Sequence, residues 1–154
     1  MRELEISNIN DFDFLIDDLI KEAINNSSKN NHAAVIALHG DLGSGKTTFT
    51  KRLAKKLGVD SVITSPTFVI EKRFNLNKST GHGFKKLIHI DTYRIDLQDE
   101  LMKLNWQEDV SNPENIISIE WPENVNDILP KNTIHIYFEF LNETTRKLRI
   151  DING

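Results

Sequence analysis

The sequence predicts a three-layer α/β domain on a mixed, mostly parallel sheet, with an antiparallel pair of strands at its C-terminal end. Three observations carry that expectation. AAVIALHG, ending at Gly40, is a nearly continuous apolar run, as expected of a strand buried on both faces of a parallel sheet. Helical periodicity flanks it on both sides, so helices are available to cover the sheet. TIHIYFEFLNETTRKLRIDI alternates apolar and polar residues twice, with turn residues between, and reads as two strands joined around Asn142 to Thr145.

Taken in order, RELEIS alternates and predicts a short first strand. Asn10 or Asp11 is placed to cap a helix whose apolar face is Phe12, Leu15, Ile16, Leu19, Ile20 and Ala23. NNSSKNN, Asn25 to Asn31, predicts a polar loop before the buried strand. A second helix is expected from Lys46 to Leu57, closed by Gly58. SVITSPTFVIEKRF reads as extended after Pro66, NLNKSTGHG as a mobile hairpin tip or surface loop, and KKLIHIDTYRI as a strand. Leu97 to Leu104 predicts a short amphipathic helix with Asp96 as N-cap. NIISIEWPE is a further buried strand, stopped by Pro122. Strand order is not readable from these patterns. One domain spanning residues 1–154 is expected, without repeats or linkers.

Composition narrows the function classes. The formal net charge of -4 argues against broad, non-specific nucleic-acid binding through the whole surface. No cysteine is present, which excludes disulfides, thiolate zinc sites and cysteine nucleophiles. The five histidines are scattered and do not suggest a histidine metal site. MRELEISNINDFDFLIDDL is acidic and interrupted, unlike a signal peptide, and no apolar run is long enough to span a bilayer. A cytoplasmic protein that does not enter a membrane is the expectation.

The most specific signal is Gly40-Asp41-Leu42-Gly43-Ser44-Gly45-Lys46-Thr47, which satisfies G-x-x-x-x-G-K-[ST] in full. Glycines let the backbone wrap an anion and turn its N–H groups inward, and the helix that follows adds its positive N-terminal end. Lys46 is expected to reach the β and γ phosphates, and the Thr47 hydroxyl to bind Mg²⁺. The match lies between a buried strand and an amphipathic helix, where such a loop has to be. The fold expectation thereby becomes a P-loop NTPase-like domain, and Asp41, Gly43, Ser44, Gly45, Lys46 and Thr47 become candidate nucleotide contacts.

Magnesium at such a loop requires an acid at the end of a neighbouring strand. LIHID offers Asp91 and IISIE offers Glu120, each directly after an apolar run. One arrangement has Asp91 holding Mg²⁺ through water and Glu120 orienting the attacking water; the reverse fits the pattern equally well. A strand-end acid in solvent or in a salt bridge with Arg94 is the plainer reading of each. Trp121 is read as a core or rim aromatic, or as a residue packing on the site or on a partner. Ser65-Pro66-Thr67 is read as a turn, or as a loop whose hydroxyls face the γ phosphate.

GDLGSGKTTF, SPTF, HIDTYR and IEWPE occur together in an order and spacing that resemble the TsaE family, also called YjeE, over about Gly40 to Glu123. The resemblance implies a Mg-dependent ATPase, weak alone and stimulated by partners, that serves tRNA threonylcarbamoyladenosine (t6A) synthesis. It implies ATP and Mg²⁺ as cofactors and TsaD and TsaB homologues as partners, with tRNA reached indirectly through that complex. A monomer or weak homo-oligomer is expected. By motif, Lys46, Thr47 and Thr48 carry over as phosphate and Mg²⁺ contacts, Asp91 as the second acidic position, and Glu120-Trp121 as a functional pair. Lys46, Asp91 and Glu120 are thus the catalytic candidates, and Thr47, Asp91 and Glu120 the metal candidates. The resemblance also brings N-terminal residues such as Glu5 and Ser7 towards the adenine. Phe68 stands where the family often has tyrosine, and LMKLNWQEDV lacks the family's glycine-containing stretch.

Two other function classes share the loop. A small-molecule or nucleotide kinase needs a phosphoryl-clamping lid, for which Arg73 and Arg94 are the internal arginines available. A non-catalytic nucleotide-binding module would not need the intact set of Lys46, Thr47, Asp91 and Glu120.

Overall fold

A computed structural model describes residues 2–61, 63–64, 70–76, 80–93 and 98–152. Seven strands form one sheet: β1 (Arg2–Ile6), β2 (Ala34–His39), β3 (Glu71–Asn75), β4 (Lys86–Asp91), β5 (Asn115–Glu120), β6 (Ile134–Phe140) and β7 (Arg146–Asp151). Their order is β1-β7-β6-β2-β5-β4-β3. The centre is parallel, with β2 between β5 and β6 and with β4 beside β5. The margins are antiparallel, where β7 joins β6 to β1 and β3 pairs with β4. The expected C-terminal strand pair is present, and β1 extends it to the edge.

Burial explains this division. β2 and β5 carry apolar residues on successive positions because both of their faces are covered. On one face, Ile36, Leu38, Ile116, Ile134 and Phe138 pack under α1 (Ile9–Asn30) and α2 (Lys46–Lys56). On the other, Val35, Ile88, Ile90, Ile117 and Ile119 pack with Leu101 of α3 (Gln98–Met102), Trp106 of α4 (Trp106–Val110) and Val125 of a 3₁₀ segment (Pro122–Ile128). These are the three expected layers. Among the described residues, no helix is long and apolar enough to cross a membrane.

Several expectations need correction. Asn8, rather than Asn10 or Asp11, caps α1: its side chain accepts from the Asn10 and Asp11 amides, and Asp11 completes a capping box. Asn25 to Asn30 continue that helix instead of forming a loop. Their polarity misled because Ile24 packs on the core, buried Ser27 donates to the Pro113 carbonyl at 2.8 Å, and the helix stops only at left-handed Asn31. Part of the glycine-rich segment before β4 is also fixed, with His82 and Phe84 buried and His82 Nε2 3.2 Å from the Leu57 carbonyl. Helix α4 was not anticipated. The Ser65-Pro66-Thr67 turn, Phe68, Arg94 and the Asp96 cap lie outside the described residues.

Candidate active site

The phosphate loop joins the end of β2 to the start of α2. Gly40 has φ +135°, and a Cβ there would lie 2.6 Å from the Phe138 carbonyl of β6, so only glycine lets the loop pass this strand. Gly45, at φ +114°, is the N-cap of α2 and offers no side chain to the first amides of the helix. The loop is braced by Ser44 N–H to the Asp41 carbonyl at 3.1 Å and by Arg146 Nε–H to the Ser44 carbonyl at 3.1 Å. An uncapped helix of eleven residues therefore opens on a cavity of about 240 Å³ bordered by Gly43, Gly45, Lys46, Thr47, Asp91 and Glu120. The first amides of a helix have no intrahelical partner, and here they suit a phosphate.

Lys46 is almost fully buried. Its ammonium donates to the Gly40 carbonyl at 2.5 Å and the Asp41 carbonyl at 2.9 Å, and it lies 4.0 Å from the centre of the Trp121 ring. Burial pushes this lysine below its usual value, and the carboxylates of Glu120 and Asp91 oppose the shift. Trp121 reaches this position because its backbone is left-handed, at φ +60°. The Thr92 amide and hydroxyl, each 3.0 Å from the Glu120 carbonyl, hold that turn, and the same hydroxyl also donates to the Trp121 carbonyl. Trp121 thus packs on the site.

Below the loop, the Thr47 hydroxyl lies 3.0 Å from both carboxylate oxygens of Glu120, so one proton is shared between them. Asp91 stands directly opposite Glu120 in the parallel β4–β5 register and accepts the Tyr93 amide at 2.9 Å. Both acids are buried. Two carboxylates and a hydroxyl are hard oxygen donors, the set that suits Mg²⁺ shared with a phosphate. Among the described residues, no three His, Cys, Asp or Glu side chains gather into an all-protein metal cage.

The structure therefore brings Lys46, Thr47, Asp91, Glu120 and Trp121 together, with Gly43, Gly45 and Thr48 on the same cavity. Asp41 turns its carbonyl to Lys46 while the residue itself is exposed. Ser44 is buried, and its hydroxyl has no partner among the described residues. Sequence reasoning missed His89, fully buried with Nε2 2.8 Å from Glu120 Oε1, and Thr92. The signal for His89 was available, since a residue two positions before Asp91 in a strand must share its face.

Comparison with known proteins places these features in a family. The family model described as "Threonylcarbamoyl adenosine biosynthesis protein TsaE" matches residues 16–148. A Bacillus subtilis protein named tRNA threonylcarbamoyladenosine biosynthesis protein TsaE is 32% identical over 120 residues, covering 78% of this chain and 70% of its own. The protein of the same name from Aquifex aeolicus is 38% identical over 118 residues, covering 75% of each. The crystal structure of Bacillus subtilis YdiB superposes with a TM-score of 0.64 at 24% identity, over 99% of this chain and 86% of that one; this likeness concerns the fold.

Proposed function

Because this chain belongs to the TsaE family of threonylcarbamoyl adenosine biosynthesis proteins, we propose that residues 1–154 form a Mg-dependent ATPase domain whose nucleotide cycle regulates the partners that modify tRNA. The partners in this reading are homologues of TsaD and TsaB in the cytoplasm, with tRNA reached through them. The observation that carries the ATPase reading is the contact of Thr47 with Glu120, 3.0 Å apart beneath an uncapped helix N-terminus.

In this reading the amides that open α2 bind the phosphates, and Lys46 leaves its loop carbonyls to neutralise the β and γ phosphates. Thr47 and Glu120 would hold Mg²⁺, which when bound offsets charge on the transferring phosphoryl group. Since Thr47 meets Glu120, the other acid, Asp91, is assigned to orient the attacking water and take its proton. The water oxygen bonds to the γ phosphorus as the bond to the β–γ bridging oxygen breaks, and ADP and phosphate leave. A second cavity of about 250 Å³, bordered by Ile6, Phe12, Gly45, Thr48 and Arg146, adjoins the loop and suits the nucleoside end.

The kinase alternative loses one of its two arginines. Arg73 donates to Asp109 through two nitrogens, at 2.8 and 2.5 Å, and to the Leu104 carbonyl at 3.1 Å, which ties it to α4 and the segment before it. The test is phosphate release from Mg·ATP by the purified protein, alone and with TsaB, TsaD and tRNA. Strong stimulation that disappears in Lys46→Ala and Glu120→Ala is expected. No stimulation under conditions where the three proteins demonstrably bind removes the regulatory ATPase reading, and transfer of the γ phosphate to a small acceptor restores the kinase.

A further inference from the structure

Resting on the reading of Glu120 as part of the metal-binding set, we propose that His89 is the positioning residue that fixes the Glu120 carboxylate, holding it from β4 while Thr47 engages it from α2. His89 is fully buried, and its Nε2 lies 2.8 Å from Glu120 Oε1. Its register partner on β5 is Ser118, so it reaches Glu120 along the diagonal, two residues further up the same face. Ser118 is itself bonded to Thr50 of α2 at 3.0 Å, which joins the phosphate-loop helix to the strand that carries the acid.

The chemistry sets the tautomer. An ionised carboxylate only accepts, so the ring proton belongs on Nε2. Nδ1 is buried and has no partner among the described residues. A proton there would bury an unpaired N–H and turn the Nε2 lone pair against the carboxylate. His89 and Thr92 lie three residues apart on the chain and act on different parts of Glu120, Thr92 holding its backbone and His89 its side chain. Without His89, the shared Thr47 proton is the one hydrogen bond left to the carboxylate among the described residues, and the Thr47 oxygen is the atom wanted by the metal. Partners of this kind fix ligand orientation, and their loss typically lowers metal affinity or activity by about 10–100-fold.

The experiment combines a spectroscopic and a binding readout on the full chain. Nitrogen-15 NMR of the histidine rings is expected to show a slowly exchanging Nε2 proton on His89 whose resonance moves in Glu120→Gln. The Mg²⁺ concentration that supports ATP binding is expected to rise by about tenfold or more in His89→Phe. ATP affinity measured in EDTA should stay unchanged, and His89→Gln, which keeps an N–H donor, should recover much of the loss. A proton found on Nδ1 overturns the proposal. So does a folded His89→Phe with the original Mg²⁺ requirement, or an equal loss in both variants that follows their melting temperatures. If His89→Phe does not fold, the tautomer and His89→Gln decide. If Glu120→Gln itself retains the original Mg²⁺ requirement and phosphate release, the site reading fails and takes the proposal with it. Failure confined to the His89 variants removes only the positioning role.

Discussion

Lys46 has its ammonium on its own loop carbonyls and against Trp121, so nucleotide binding must exchange those contacts for phosphate oxygens. Lys46→Ala is expected to weaken ATP binding by about a hundredfold, roughly 2.7 kcal/mol, measured by calorimetry. The same exchange has an optical consequence. The chain has two tryptophans, and Trp106 is buried on the far face of the sheet. In Trp106→Phe the emission of Trp121 should change on adding Mg·ATP and stay flat in Trp106→Phe/Lys46→Ala. A response that survives without Lys46 would disprove the exchange. At this scale the sequence was most readable for Lys46 and Thr47, whose roles follow from the loop pattern. It was least readable for His89, whose partner lies on another strand.

Elements, more than single residues, set the distances in the site. The parallel pairing of β4 with β5 puts Asp91 opposite Glu120, and a slip of one residue would turn one acid to the other face. The edge strand β3 is fastened to α4 by Arg73, which meets Asp109, a buried carboxylate, and also Glu71. Arg73→Met should cost about 3 kcal/mol of unfolding free energy by leaving Asp109 unpaired in the interior. Arg73→Met/Asp109→Leu should recover part of that in urea denaturation. An unchanged stability in the single variant would mean that α4 is not held this way. The long α1 and the unforeseen α4 show the limit of local reading. Polar residues at Asn25 to Asn30 resemble a loop until Ser27 finds a carbonyl on a distant segment.

Across the whole molecule, strands β2 and β6 meet at a histidine pair just before the phosphate loop. His39 of β2 lies 2.7 Å from Glu123 Oε1 through Nδ1 and 2.8 Å from His135 of β6 through Nε2. Burial pushes His39 below its ordinary value, against the pull of Glu123, and burial with His39 nearby does the same to His135. Below about pH 6.5 the unfolded chain therefore takes up protons that the fold resists. The stability these neutral rings contribute is complete above that pH and is lost as pH falls through their depressed folded values. Glu71, raised by burial, works in the opposite sense on acidification, so the comparison must isolate the histidines. Between roughly pH 7.5 and 5.5, Tm of the wild type should fall more steeply than that of His39→Gln/His135→Gln. Parallel curves would show that the pair does not couple to folding.

The sequence by itself determined the α/β class, the phosphate loop and the two strand-end acids, because each is written in neighbouring residues: a period, a glycine pattern, an acid after an apolar run. Only the tertiary structure decided which acid meets Thr47, since Glu120 is 73 residues away along the chain. It likewise decided the strand order, the left-handed turn that lays Trp121 over Lys46, and the donor behind Glu120. Those outcomes depend on which strands lie side by side and in what register, and pairing between distant segments leaves no local periodicity to read.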